Sequence, residues 1–186
     1  MNRTRYQVAI LAFVNSVLLV CAPLPGQDAV KATSISTVFV SRILEGMVVG
    51  IDVSTDEIVC ILHTGTNPAE VAVVDSLHRA FVADLTDGTV TVIDAISQSV
   101  TDTIDVGHPV AAAVADLTTE MVYVLDFSNG TPGTNIHEID ADTGIEVADV
   151  AVGSRLQNIA LDPDESTAYL TDFVDGVLVL DTSSLT

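Results

Sequence analysis

From residue 36 onward the hydrophobic residues fall into short runs, five to seven residues long, separated by Asp, Gly, Asn, Ser and Thr. Thr89–Asp94 reads Thr-Val-Thr-Val-Ile-Asp, a β-branched run of the kind that packs well on a pleated sheet. Ser99–Val106 alternates loosely, whereas Glu70–Val74 is almost wholly apolar and suits a strand buried on both faces. Asp87-Gly88, Asn129-Gly130 and Asp175-Gly176 are the dipeptides of tight hairpins, since glycine takes positive φ without a Cβ clash. No apolar period of 3.6 residues runs for a useful length after residue 27, so helices are expected to be scarce.

The runs repeat. Val38-Phe39-Val40, Ala80-Phe81-Val82, Val122-Tyr123-Val124 and Ala168-Tyr169-Leu170 place their aromatic residues 42, 42 and 46 residues apart. Gly46, Gly88, Gly130 and Gly176 follow with the same three steps, and Asp52, Asp94, Asp140 and Asp181 close the next apolar run at steps of 42, 46 and 41. The four extra residues fall in Thr131-Pro132-Gly133-Thr134, which lengthens a turn. Four strands in about 42 residues, repeated, predict an all-β chain of β-propeller blades, each a four-stranded antiparallel sheet. Copies are expected near 36–68, 69–109, 110–155 and 156–186, preceded by a linker over 27–35. That is about three and a half periods, against four to eight blades in a closed ring. An incomplete ring or a fragment of a longer propeller is the leading expectation. A strained four-bladed ring and association through open sheet edges are the alternatives.

The unit Ala168-Tyr169-Leu170-Thr171-Asp172, Asp175-Gly176, Val179-Leu180-Asp181 resembles the YVTN-type β-propeller repeat. So do Gly88–Asp94 with the Val-Thr-Asp-Thr-Ile-Asp-Val-Gly-His-Pro stretch to Pro109, and Ala160-Leu161-Asp162-Pro163-Asp164 before its aromatic strand. The resemblance spans roughly residues 36–186. It departs at the motif's closing Asn, where Asp84, Asp126 and Asp172 stand, with Arg42 in the first copy. The prolines at 68 and 109 also lack a counterpart after Gly153, where Ser154-Arg155 follow. The resemblance implies a fold and no particular reaction, because the family spans surface-layer proteins, exported proteins of unknown role and relatives of propeller enzymes.

The first 26 residues have another character. A basic start at Arg3 and Arg5, a 13-residue apolar run from Val8 to Val20 and a Cys21-Ala22-Pro23-Leu24-Pro25-Gly26 ending have the layout of a secretory signal peptide. Export to the periplasm, cell surface or exterior is the expectation. Leu18-Leu19-Val20-Cys21 resembles a bacterial lipobox, with Val20 where a small residue is usual, and a Cys inside a discarded signal is the preferred reading. Cys60, in the run Ile58-Val59-Cys60-Ile61-Leu62, reads as a buried, inert thiol.

The chain carries 26 acidic and 6 basic residues, a formal net charge of −20, with 19 Asp against 7 Glu and a single lysine, Lys31. No basic surface can be assembled for a phosphate backbone or an anionic bilayer, which excludes nucleic acid and anionic membranes as partners. At 48% hydrophobic residues it is no disordered acidic tail. The acidity suits either a salty habitat or an ordinary exported protein with an acidic surface.

Catalytic chemistry is not legible. G-x-S-x-G, H-E-x-x-H and a phosphate-cradling glycine loop are all missing from the sequence. His63, His78, His108 and His137 lack metal-ligand spacing, so no metal centre and no cofactor are expected. Asp140-Ala-Asp142-Thr-Gly144 resembles half a calcium loop but reads better as an Asp-initiated turn, like Asp52–Asp56. Asn129-Gly130-Thr131 is a glycosylation sequon.

The candidate site is geometric. Loops between blades carry Asn67, His108 and Arg155, and loops within the middle hairpins begin at Asp84, Asp126 and Asp172. Repetition brings both sets to one face, where they could bind a cation or polar ligand. The competing reading makes each Asp a turn former. A non-catalytic binding or surface module for a protein, glycan or cation is therefore expected. The alternative is a fragment of a propeller enzyme, lactone hydrolase-like or periplasmic oxidoreductase-like, with its site in the central mouth.

Overall fold

A computed structural model describes residues 37–126, 134–153 and 155–185. The signal and linker segments, Cys21, the sequon, the Asn129-Gly130 turn and most of the four-residue insertion lie outside the described residues. Among the described residues, fourteen strands form four antiparallel sheets, each read outward in chain order. Sheet 1 holds β1 (Thr37–Arg42), β2 (Met47–Asp52) and β3 (Glu57–His63). Sheet 2 holds β4 (Pro68–Val74), β5 (Arg79–Asp84), β6 (Thr89–Asp94) and β7 (Ser99–Asp105). Sheet 3 holds β8 (Val110–Asp116), β9 (Met121–Asp126), β10 (Asn135–Asp140) and β11 (Ile145–Ala151). Sheet 4 holds β12 (Leu156–Asp162), β13 (Thr167–Asp172) and β14 (Gly176–Asp181). Helix is confined, among the described residues, to two 3-10 turns at Ile43–Glu45 and Asp75–Leu77.

The period written in the sequence is the period of the sheets. The four marker aspartates end β2, β6, β10 and β14. Asp52 accepts the backbone N–H groups of Ser54 and Thr55, Asp94 that of Ser97, Asp140 that of Thr143 and Asp181 that of Ser183. These Asx turns reverse the chain toward the outermost strand of sheets 1–3, and the hydrogen bonds hold all four carboxyls below the usual carboxylate range. One detail differs from the two-residue hairpin expected at Asp87-Gly88. Asp84 pairs with Thr89 across a four-residue loop, and Gly88 supplies the positive φ (73°) at its end.

Each sheet is covered by the next. The aromatic-bearing face of sheet 1, with Phe39 and Val48, packs on Val71, Ala80, Val82 and Ile93 of sheet 2. Phe81, Ala83, Val90 and Val92 of sheet 2 pack on Val122, Val124 and Ile139 of sheet 3. Tyr123, Leu125 and Ile136 of sheet 3 pack on Ala168, Leu170 and Leu180 of sheet 4. Alternation along each strand makes this possible: odd and even positions face opposite neighbours, so both faces of a middle strand are apolar. The innermost strands β4, β8 and β12 follow one another, and β1, which holds the repeat place of β5, β9 and β13, lies beside β4 as β5 lies beside β8 and β9 beside β12; the sheets are not closed into a barrel.

Candidate functional site

The loops between sheets and the hairpins inside them do share one face. Each inter-sheet loop is stitched to the hairpin behind it, through Thr64 N–H to Gly46 O, Val106 N–H to Gly88 O and Val152 N–H to Thr134 O. Two are seen bonded to the hairpin ahead as well, through Leu85 N–H to Asn67 O and Phe173 N–H to Arg155 O. Asn67 Nδ2 also donates to Thr86 Oγ1 at 2.8 Å, and Thr66 N–H to Asp87 Oδ2 at 2.6 Å. His108 lies with its backbone over Gly88, where a Cβ on the glycine would come within 2.9 Å of the His108 carbonyl carbon.

The three aspartates occupy the last position of β5, β9 and β13, and all three are buried. Asp84 Oδ1 accepts the Gly65 N–H (3.1 Å), while Oδ2 accepts the hydroxyls of Thr91 (2.6 Å) and Thr89 (3.2 Å). Burial pushes its carboxyl above the usual range, against the pull of those three bonds, and the nearby Asp87 charge adds to the rise. Asp126 Oδ1 accepts the Asn135 N–H at 2.8 Å. Asp172 accepts the N–H groups of Val174 and Asp175 in its own turn through Oδ1, and the Arg155 N–H through Oδ2 at 2.8 Å. Each carboxylate thus anchors a loop of its own sheet. Asn67 is brought beside the Asp84 hairpin, His108 beside Gly88, and Arg155 onto Asp172. Gly65 and Gly153 lack side chains for the same reason. A Cβ would stand 2.5 Å from Asp84 Cγ in the first case and 2.9 Å from Asp172 Oδ2 in the second.

Above the last of these anchors the Arg155 guanidinium lies over the Phe173 ring, 5.4 Å from its centroid. Phe173 is 69% exposed and its neighbour Val174 is 64% exposed.

One cluster escaped the sequence reading. His137 on β10, with Glu146 and Asp149 on β11, brings three ligating atoms within 4.8 Å of one another. His137 pairs directly with Asp149 across the strands, so counting cross-strand partners over the hairpin would have exposed the trio. His137 is fully buried, its Nδ1 lies 2.7 Å from Glu146 Oε1, and its Nε2 has no partner among the described residues. A cation at Nδ1 would drive the ring proton to Nε2, where a buried N–H would face no acceptor. Metal-bound histidines ordinarily hand that proton to a carboxylate or carbonyl. The trio is therefore a cross-strand hydrogen bond, with Nδ1–H donating to Glu146.

Elsewhere, two part-buried contacts tie neighbouring sheets together: Ser41 Oγ donates to Ala69 O at 2.6 Å, and Ala113 N–H to Glu70 Oε2 at 3.1 Å. Burial raises the Glu70 carboxyl above its ordinary range. Cys60 is half-buried on β3, and burial raises its thiol too.

These features define a protein of the β-propeller class, present as four consecutive sheets of an open arc. No family model matches the chain, and no curated protein matches it. Solved structures do. Hydrazine synthase of Kuenenia stuttgartiensis superposes with a TM-score of 0.72 at 20% identity, over 80% of this chain and 43% of that one. The dihydro-heme d1 dehydrogenase NirN superposes with a TM-score of 0.69 at 18% identity, over 81% and 33%. U3-55K gives 0.68 at 12% identity, over 91% and 53%. The likeness is one of fold, and the chain spans between a third and about half the length of these structures.

Proposed function

We propose that the chain is an exported, non-catalytic binding module with YVTN-type blades, which engages a protein partner through the loop face at Arg155 and Phe173. The stacked, exposed Arg155–Phe173 pair carries this reading. Arginine and aromatic side chains dominate the energetics of protein interfaces. The loop is already ordered by Asp172, so binding costs little conformational entropy. Export rests on the basic and apolar pattern of residues 1–26. A propeller of similar fold comes from the structure of the mitotic checkpoint complex, which suits a scaffold role. The catalytic alternative would draw on the same mouth, where Asp84 and Asp172 are already bonded to the amides of Gly65 and Arg155.

The test is quantitative affinity capture from the source organism's exported fraction, run in parallel with wild-type and Phe173→Ala/Arg155→Ala baits. A glycan array is probed with the same two proteins. The reading expects a protein enriched by the wild type, lost at least about tenfold from the variant, and rebinding when purified. An identical capture profile for both baits, or a response confined to glycans, refutes it.

A further inference from the structure

We draw no further inference here: the strongest candidate, the exposed apolar face of sheet 4 formed by Tyr169, Val177 and Val179 across β13 and β14, carries none, because nothing in the structure shows what covers it.

Discussion

Asp84 is the side chain on which the shared loop face rests most heavily. Replacing it with alanine strands three donors at once: the Gly65 N–H and the hydroxyls of Thr89 and Thr91. Thr89 is only half-buried and its hydroxyl can turn to water, but Thr91 is 2% exposed and cannot. The buried Thr91 hydroxyl and the part-buried Gly65 N–H, which cannot rotate away, left unsatisfied at about 1–3 kcal/mol each and offset by relief from burying a carboxylate, leave a net loss of about 3 kcal/mol. For a domain of this size that is roughly a 6–12 °C fall in Tm. The assay is equilibrium urea unfolding followed by far-ultraviolet circular dichroism, with Asp52→Ala as comparator. Asp52 makes as many bonds, but to amides and a hydroxyl that water reaches. A pH series adds an independent arm. Burial raises the folded-state pKa of Asp84, so between the unfolded value and that raised value the folded chain holds a proton the unfolded chain has released. The contribution of Asp84 is therefore largest on the acid side and falls as pH climbs through the folded value. Asp84→Asn does not titrate, so the wild type should lose stability relative to it as pH rises above the ordinary aspartate range. An Asp84→Ala loss below about 0.5 kcal/mol, or one matched by Asp52→Ala, would show that burial adds nothing to this anchor.

Three further outcomes follow from the same contacts. Gly65→Ala sets a Cβ 2.5 Å from Asp84 Cγ and is expected to cost about 2 kcal/mol by urea unfolding, but clearly less when Asp84 is already alanine. Additive losses would refute the clash. His137→Leu installs the residue found at the equivalent Leu178 and removes an orphaned buried nitrogen, so Tm should stay level or rise, and a fall of more than about 2 kcal/mol in unfolding would refute this account of the cluster. Stability should increase as salt rises from about 10 mM to 1 M, because the screening length shrinks from about 30 to 3 Å around a chain of net charge −20; a flat or falling Tm counts against it.

Local chemistry is what the sequence made legible. The 42-residue spacing of Phe39, Phe81 and Tyr123, the Asp that ends each middle strand and the β-branched runs between them determined strands, order and repeat, because each is decided by backbone preference and alternation within a few residues. The common face of the inter-sheet loops and middle hairpins was legible for the same reason: a strand that runs out and back returns its turns to fixed ends. The tertiary structure alone decided what becomes of identical letters. Asp52 and Asp84 are both strand-ending aspartates, yet one caps a solvated turn and the other lies buried on two hydroxyls and an amide. His137 meets Glu146 and Asp149 only once β10 and β11 pair in register. Tyr123 and Tyr169 hold the same place in the repeat, but one is sealed by sheet 4 and the other stands open. Burial is a relation between sheets, set by which neighbour arrives over a given face, and no single repeat encodes its neighbour.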